Sequence, residues 1–318
     1  MAKKKKKKLI ALVFSDLHLH EWNEFNKDNI RVSQGLEVIT RLQARAKIRK
    51  VPILFPGDLI HNPKYISNGL LSEILPFFAK LEVDIYGIDG NHDQCEQNTL
   101  DHISPSYFET FSEVFNKMHS VNFKSIETVD FVIHGIPYLT HNIGFEKAVS
   151  LIALHKTKPN ILMIHTDLHN AQDTNGRQVG TVTNIPQNMD KFFKKFTLVL
   201  AGHIHKPQKL CSNVIMVGAP QQQRRTDRGA ELGYWNIYSD GSFKFCPLKG
   251  FPVFKIGKDD GFNFCDELKV KKKDKDGPKP IVFDSSNSRT KLTKNYCKHV
   301  GVKEKKKIDA LNKYLSNA

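Results

Sequence analysis

Two periods of apolar residues alternate along the first third of the chain. Leu9 to Phe14 is a short unbroken apolar run that ends at Ser15-Asp16 and predicts a buried strand. From Asn29 to Lys47 the spacing turns helical, with Ile30, Val38, Ile39 and Leu42 recurring on one side. Val51 to Phe55 predicts a second strand closing at Gly57-Asp58, Ile66 to Lys80 a second helix, and Val83 to Ile88 a third strand closing at Gly90-Asn91-His92-Asp93. Strand, helix, strand, helix, strand is the pattern of a parallel sheet covered by helices.

The pattern resumes further on. Asp130 to His134 and Ile161 to Ile164 predict strands with a helix at Phe145 to His155 between them, and Thr197 to Leu200 predicts another strand, closed by Ala201-Gly202-His203. Val214 to Val217, Gly233 to Tyr238 and Ser242 to Phe245 read as short antiparallel strands, the last two joined at Asp240-Gly241. After Phe254 the character changes to a charged linker, Lys271 to Pro278, and a terminal helical pattern from Val302 to Leu315. The chain thus divides into a basic tail (1–8), a large α/β domain (9–254) and a lysine-rich extension (255–318).

Composition narrows the setting. No apolar run reaches the roughly 18–20 residues that span a bilayer, so no membrane role is expected. The five scattered cysteines suit neither a disulfide framework nor a thiolate zinc site, and they predict a reducing, cytoplasmic setting (host cytoplasm for a viral protein). A net charge of +15, concentrated at Lys3 to Lys8 and Lys269 to Lys307, favours a polyanionic partner without identifying it.

Chemistry gathers where the strands end. Asp16-x-His18, Asp58, Asn91-His92-Asp93, His165 and His203-x-His205 each follow a predicted strand, where open α/β sheets form their crevices. Read as extended backbone, Asp16 and His18 point the same way and can reach one ion. Oxygen and nitrogen ligands without thiolate suit manganese, iron or zinc. Two ions about 3.5–4 Å apart would clamp a phosphate and supply a hydroxide at neutral pH. Any one motif is weak; their occurrence in order, each at a strand end, is specific.

These motifs resemble the five of the calcineurin-like metallophosphoesterases, over about residues 9–250. The resemblance implies a four-layer fold of two mixed β-sheets sandwiched by helices. It implies that Asp16, His18 and His205 hold one divalent metal, that Asn91, His165 and His203 hold a second, and that Asp58 bridges them. Mn2+ is the expected ion, with Fe2+, Zn2+ or Mg2+ as alternatives. It further implies that His92 protonates the leaving-group oxygen and that Asp93 orients it. Within the family, Gly57-Asp58-Leu59-Ile60-His61, His134-Gly135-Ile136-Pro137-Tyr138, Gly202 to Gln208 and Val217-Gly218-Ala219-Pro220 are most similar to the SbcD-type nuclease of break-repair complexes. That similarity makes His61 a helper of His92. It implies a DNA exonuclease or endonuclease of repair and recombination, partnered by an SbcC-like coiled-coil ATPase and by a second copy of the chain. The alternative is a phosphodiesterase or phosphatase on a small molecule. Ser/Thr phosphatases are disfavoured, because His61 stands where their second motif needs Asp-Arg-Gly. The 255–318 segment does not look like the longer cap of SbcD proteins. His20 shares a strand face with His18 and is expected to be exposed or to sit behind the ligands, while His102, His141, His155 and His169 match no ligand position.

Overall fold

The structure, a computed structural model, describes residues 7–21, 30–96, 98–140, 142–179, 189–223, 227 and 230–251. The linker at 271–278, the basic segment 269–307 and the terminal helical pattern at 302–315 lie outside these residues, as does His141.

Two six-stranded sheets form the centre. The first runs β12 (Phe243–Pro247), β11 (Gly233–Tyr238), β1 (Leu9–Val13), β2 (Ile53–Phe55), β3 (Ile85–Gly87) and β4 (Met118–Ser120). The second runs β5 (Ser125–Glu127), β6 (Val132–Ile136), β7 (Asn160–His165), β8 (Leu198–Gly202), β10 (Val214–Met216) and β9 (Gln208–Cys211). β1 to β4 are parallel to one another, as are β6, β7, β8 and β10, while β11, β12, β5 and β9 add antiparallel edges. Both sheets are therefore mixed, as the resemblance implied.

Alternation along the strands creates the layers. Leu12, Ile53, Phe55 and Ile85 face outward onto α1 (Ile30–Arg49), α2 (Asn68–Phe78) and α3 (Tyr107–Val114). Ile10, Val13, Leu54, Trp235 and Ile237 face inward against Ile133, Ile161, Met163, Leu200 and Ile215 of the second sheet. Leu162, Ile164, Val199 and Val214 face outward again, onto α4 (Asn142–Ser150) and α5 (Met189–Phe193). Because helices cover one face of each sheet and the other sheet covers the opposite face, the central strands read as continuous apolar runs. A register shift between Leu9 and Ala11 lets both Ile10 and Ala11 enter the inter-sheet core. Trp235 closes that core by donating its indole N–H to the Val217 carbonyl (2.9 Å).

Among the described residues the expected strands and helices are present with shifted ends, but the strand at Val214–Met216, expected as antiparallel, runs parallel to β8 and is antiparallel only to β9. The helix expected to reach His155 stops at Ser150, and the strand expected from Asp130 begins at Val132. β4, β5, β9, α3 and α5 were not expected. Lys7 and Lys8, expected in the basic tail, lie against the domain instead: Lys8 pairs with Asp130 (2.7 Å) and Lys7 lies over the Tyr238 ring (4.2 Å).

Candidate metal centre

The parallel strands of both sheets deliver their C-terminal ends to one crevice. β1 leads into Asp16 and His18, β2 into Asp58, and β3 into Asn91 and His92; from the second sheet β7 ends on His165 and β8 leads into His203 and His205. The backbone that aims them is not extended. Asp16, His18, Asp58 and His203 have φ of 53°, 48°, 61° and 94°. Asp16 and His18 therefore do not converge by strand alternation, as their spacing suggested, but because each sits in a left-handed turn beyond the strand. Non-glycine residues hold such φ values only where surrounding contacts impose them.

Glycines let the loops approach. A Cβ at Gly90 would strike the Asp58 carboxylate, one at Gly57 would lie 2.5 Å from His165 Nδ1, and one at Gly202 would meet the Pro56 carbonyl. Asp93 ties the loops together. Its Oδ2 accepts the amides of Asp58 (2.8 Å) and Gly90 (2.9 Å), and its Oδ1 accepts those of Leu59 (2.9 Å) and Ile60 (3.0 Å). Burial, with the charges of Asp58 and Asp89, pushes the Asp93 carboxyl upward, against these amide donors.

Two groups of ligand atoms, each within 4.8 Å of one another, emerge: Asp16, His18 and His205; and Asp58, His165 and His203. Asp58 lies between them, its Oδ2 3.5 Å from His18 Nε2 and 3.3 Å from His165 Nε2. Asn91 joins the second group, its Oδ1 3.2 Å from His165 Nε2 and 3.0 Å from His203 Nδ1. The residues expected as ligands thus lie together at one crevice. His165 presents Nε2 because its Nδ1 meets the Pro56 carbonyl at 2.7 Å, which fixes the tautomer a ligand requires.

The electrostatics call for cations. Asp16 Oδ2 is buried with no hydrogen-bond partner among the described residues, and the Nε2 atoms of His18 and His205 face each other at 3.2 Å. Two ring nitrogens and a bare carboxylate oxygen converging on one point fit a divalent ion and poorly satisfy one another. Burial drives His203 down to about 3, with the His165 charge adding, and drives His18 well below its ordinary value. Burial also raises Asp16, and the Asp58 charge adds to that. Against burial, His165 and His18 hold Asp58 well below the usual carboxylate range, and Asp58 reciprocally lifts His165 to about 9.

His61, His92 and His18 form a third close group. The His61 and His92 rings stack with centroids 5.1 Å apart. The orienting contact on His92 differs from the expected one: its Nδ1 meets the His61 carbonyl oxygen, while the Asp93 carboxylate takes up main-chain amides of the loops. His20 is buried rather than exposed, with its ring 5.0 Å from that of His61. His102 and His155 lie away from the crevice beside Glu96 and Glu127.

Other residues at the crevice were not singled out from the sequence. Tyr138, quoted only within a similar stretch, stacks on His203 with centroids 5.9 Å apart. Asp89 is fully buried, pairs with Asn122 and is pushed to about 7 by burial. Asp227, Gln223 and Arg31 stand behind the first group. The Gln221-Gln222-Gln223 run after Pro220 was a usable signal, whereas Asp227 sits in a basic stretch that gives none.

A family model described as calcineurin-like phosphoesterase matches residues 11–207. The chain belongs to the calcineurin-like phosphoesterase family. That family, with these donors, makes it a metallophosphoesterase whose centre suits two metal ions. No curated protein matches the sequence. Among solved structures, a hypothetical protein from Thermus thermophilus aligns at 10% identity with a TM-score of 0.37, over 66% of this chain and 76% of that one.

Proposed function

We propose that the phosphodiester this metallophosphoesterase cleaves is the backbone of DNA, in the manner of an SbcD-type nuclease. The observation that carries this reading is the His61–His92 pair. His61 closes the Gly57-Asp58-Leu59-Ile60-His61 stretch that resembles SbcD, and its ring stacks on His92 beside the first ligand group. The net charge of +15 supports a polyanionic substrate.

When bound, the two ions polarise the phosphoryl oxygens and lower the pKa of bound water; Mn2+ suits this donor set. The chain's own residues do the rest. Asp16, His18 and His205 would hold one ion and Asn91, His165 and His203 the other, with Asp58 placed between the two groups. His92 is held on the His61 carbonyl through Nδ1, leaving Nε2 to deliver a proton to the departing sugar oxygen. His61 flanks it and restricts how the strand lies. The proposed partners are DNA, a second copy of the chain and an SbcC-like ATPase, and the proposed setting is the cytoplasm. No helix among the described residues is long and apolar enough to cross a membrane.

The test is incubation with end-labelled single- and double-stranded DNA in Mn2+, beside EDTA and Asp58→Asn controls. Degradation lost in both controls supports the nuclease. Turnover of a cyclic nucleotide faster than DNA, with no DNA affinity at low salt, would replace it with the small-molecule phosphodiesterase.

A further inference from the structure

Two of the candidate ligand histidines, His165 and His205, are held from behind by different groups. His165 leans on a main-chain carbonyl, Pro56. His205, whose Nε2 faces His18, has its Nδ1 3.3 Å from Oδ2 of Asp227. Asp227 is only 2% exposed and lies 22 residues beyond His205, outside every motif. The same Oδ2 accepts the Gln223 amide (2.8 Å), and Oδ1 accepts the Thr174 hydroxyl (3.1 Å).

That carboxylate is the hub of a buried array behind the first ligand group. The Gln223 side-chain amide donates to the carbonyls of Asp16 (3.2 Å) and Leu17 (3.0 Å), within the left-handed turn that aims Asp16 and His18. Arg31, buried in α1, donates to the Gln223 side chain and to the Gln222 carbonyl. One array thus touches His205 through its ring and the turn carrying Asp16 and His18 through its backbone. None of these contacts involves His165, His203 or Asn91.

We infer that Asp227 is a positioning residue for the first metal position: it accepts the His205 Nδ1 proton, fixes the tautomer that presents Nε2, and makes that nitrogen a stronger donor. Carboxylates placed this way behind a ligating histidine typically contribute 10–100-fold to metal affinity. The inference rests on the metal-binding reading of the centre and is independent of whether DNA is the substrate. Its effect is selective, because His165 at the second position depends on a carbonyl that no side-chain substitution removes.

The test is stepwise Mn2+ titration of the full chain by calorimetry and electron paramagnetic resonance, without substrate. Asp227→Asn keeps the volume of the side chain and removes its charge; Asp227→Ala removes the acceptor. The expected result is one dissociation constant raised about tenfold in Asp227→Asn and up to about 100-fold in Asp227→Ala, with the other unchanged. The exchange-coupled signal of the ion pair should fade as the first position empties. Melting in EDTA separates this from a purely structural role, which would lower the metal-free melting temperature and weaken both positions alike. If Asp227→Ala does not fold, Asp227→Asn decides. Both constants unchanged, or both raised equally, overturns the inference. DNA inactivity of the wild-type protein, with its metal binding intact, would count against the proposed substrate instead.

Discussion

Asp93 shows how one side chain can matter without touching the reaction. Four main-chain amides from two loops end on its carboxylate, inside a region that water does not reach. Each buried donor left without a partner costs about 1–3 kcal/mol. Asp93→Ala is therefore expected to lose at least ~3 kcal/mol, measured by urea denaturation in EDTA. A loss below ~1 kcal/mol would mean that other groups hold the loops. His92 is the opposite case. It is half-buried, and its ring needs only the His61 carbonyl to be oriented. His92→Ala should slow phosphodiester turnover roughly 10²–10⁴-fold while leaving Mn2+ affinity within about twofold. His61→Ala keeps the main-chain acceptor and removes only the stacked ring, so its turnover should fall between wild type and His92→Ala. Equal losses in the two variants would show that the His61 ring, rather than its carbonyl, governs His92.

Among the elements, α3 shows what a sequence can reveal and what is easily passed over. Ser106 caps it, its hydroxyl accepting the Glu109 amide (3.2 Å), and Tyr107, Phe108, Phe111 and Val114 are buried below. The Ser106-x-x-Glu109 start was present in the sequence, three residues apart as a capping box requires. β4, β5 and β9 gave less signal. They are three or four residues long, and β5 and β9 are partly exposed edges, so neither a long apolar run nor clean alternation marks them. The candidate ligands were legible as a cluster because glycine turns punctuate them at strand ends. The supports behind them were legible only in part: the Gln221-Gln222-Gln223 run stood out, but Asp227 sits in a basic stretch, and Arg31 meets Gln223 only after segments far apart fold together. At β3 and β4 the pairing carries a titratable clasp. Asp84 lies 3.0 Å from His119 Nε2 and 3.2 Å from Lys117 Nζ, and although burial opposes it, these partners lower its pKa from the ordinary 3.8. A depressed carboxyl contributes stability that is present above its unfolded pKa and is lost as pH falls through the folded one. Asp84→Asn should therefore melt below wild type at pH 7, and the gap should close as pH falls through the lowered Asp84 pKa. A gap that persists after Asp84 is protonated would mean that the loss is not one of charge.

At the scale of the whole molecule, the centre is the place where the two sheets bring their candidate ligands together. Asp16, His18, Asp58 and Asn91 follow strands of the first sheet; His165, His203 and His205 come from the second. Bound ions would therefore cross-link the sheets at one end of the sandwich. The rest of that interface needs no metal, because Ile10, Val13, Leu54, Ile161, Met163, Leu200 and Ile215 pack between the sheets with almost no exposure. Metal binding should thus add stability to a protein that is already folded. An ion at 100 times its dissociation constant contributes about 2.7 kcal/mol per site. For a domain of this size that corresponds to roughly 5–10 °C in melting temperature. EDTA is expected to lower the melting temperature by at least that amount while far-ultraviolet circular dichroism at 25 °C stays unchanged. Asp58→Asn, which weakens the ligand common to both groups, should lose most of the gain on Mn2+ addition. Outright unfolding in EDTA would mean that the apolar core between the sheets does not suffice to hold them. An undiminished Mn2+ gain in Asp58→Asn would mean that Asp58 does not join the two positions.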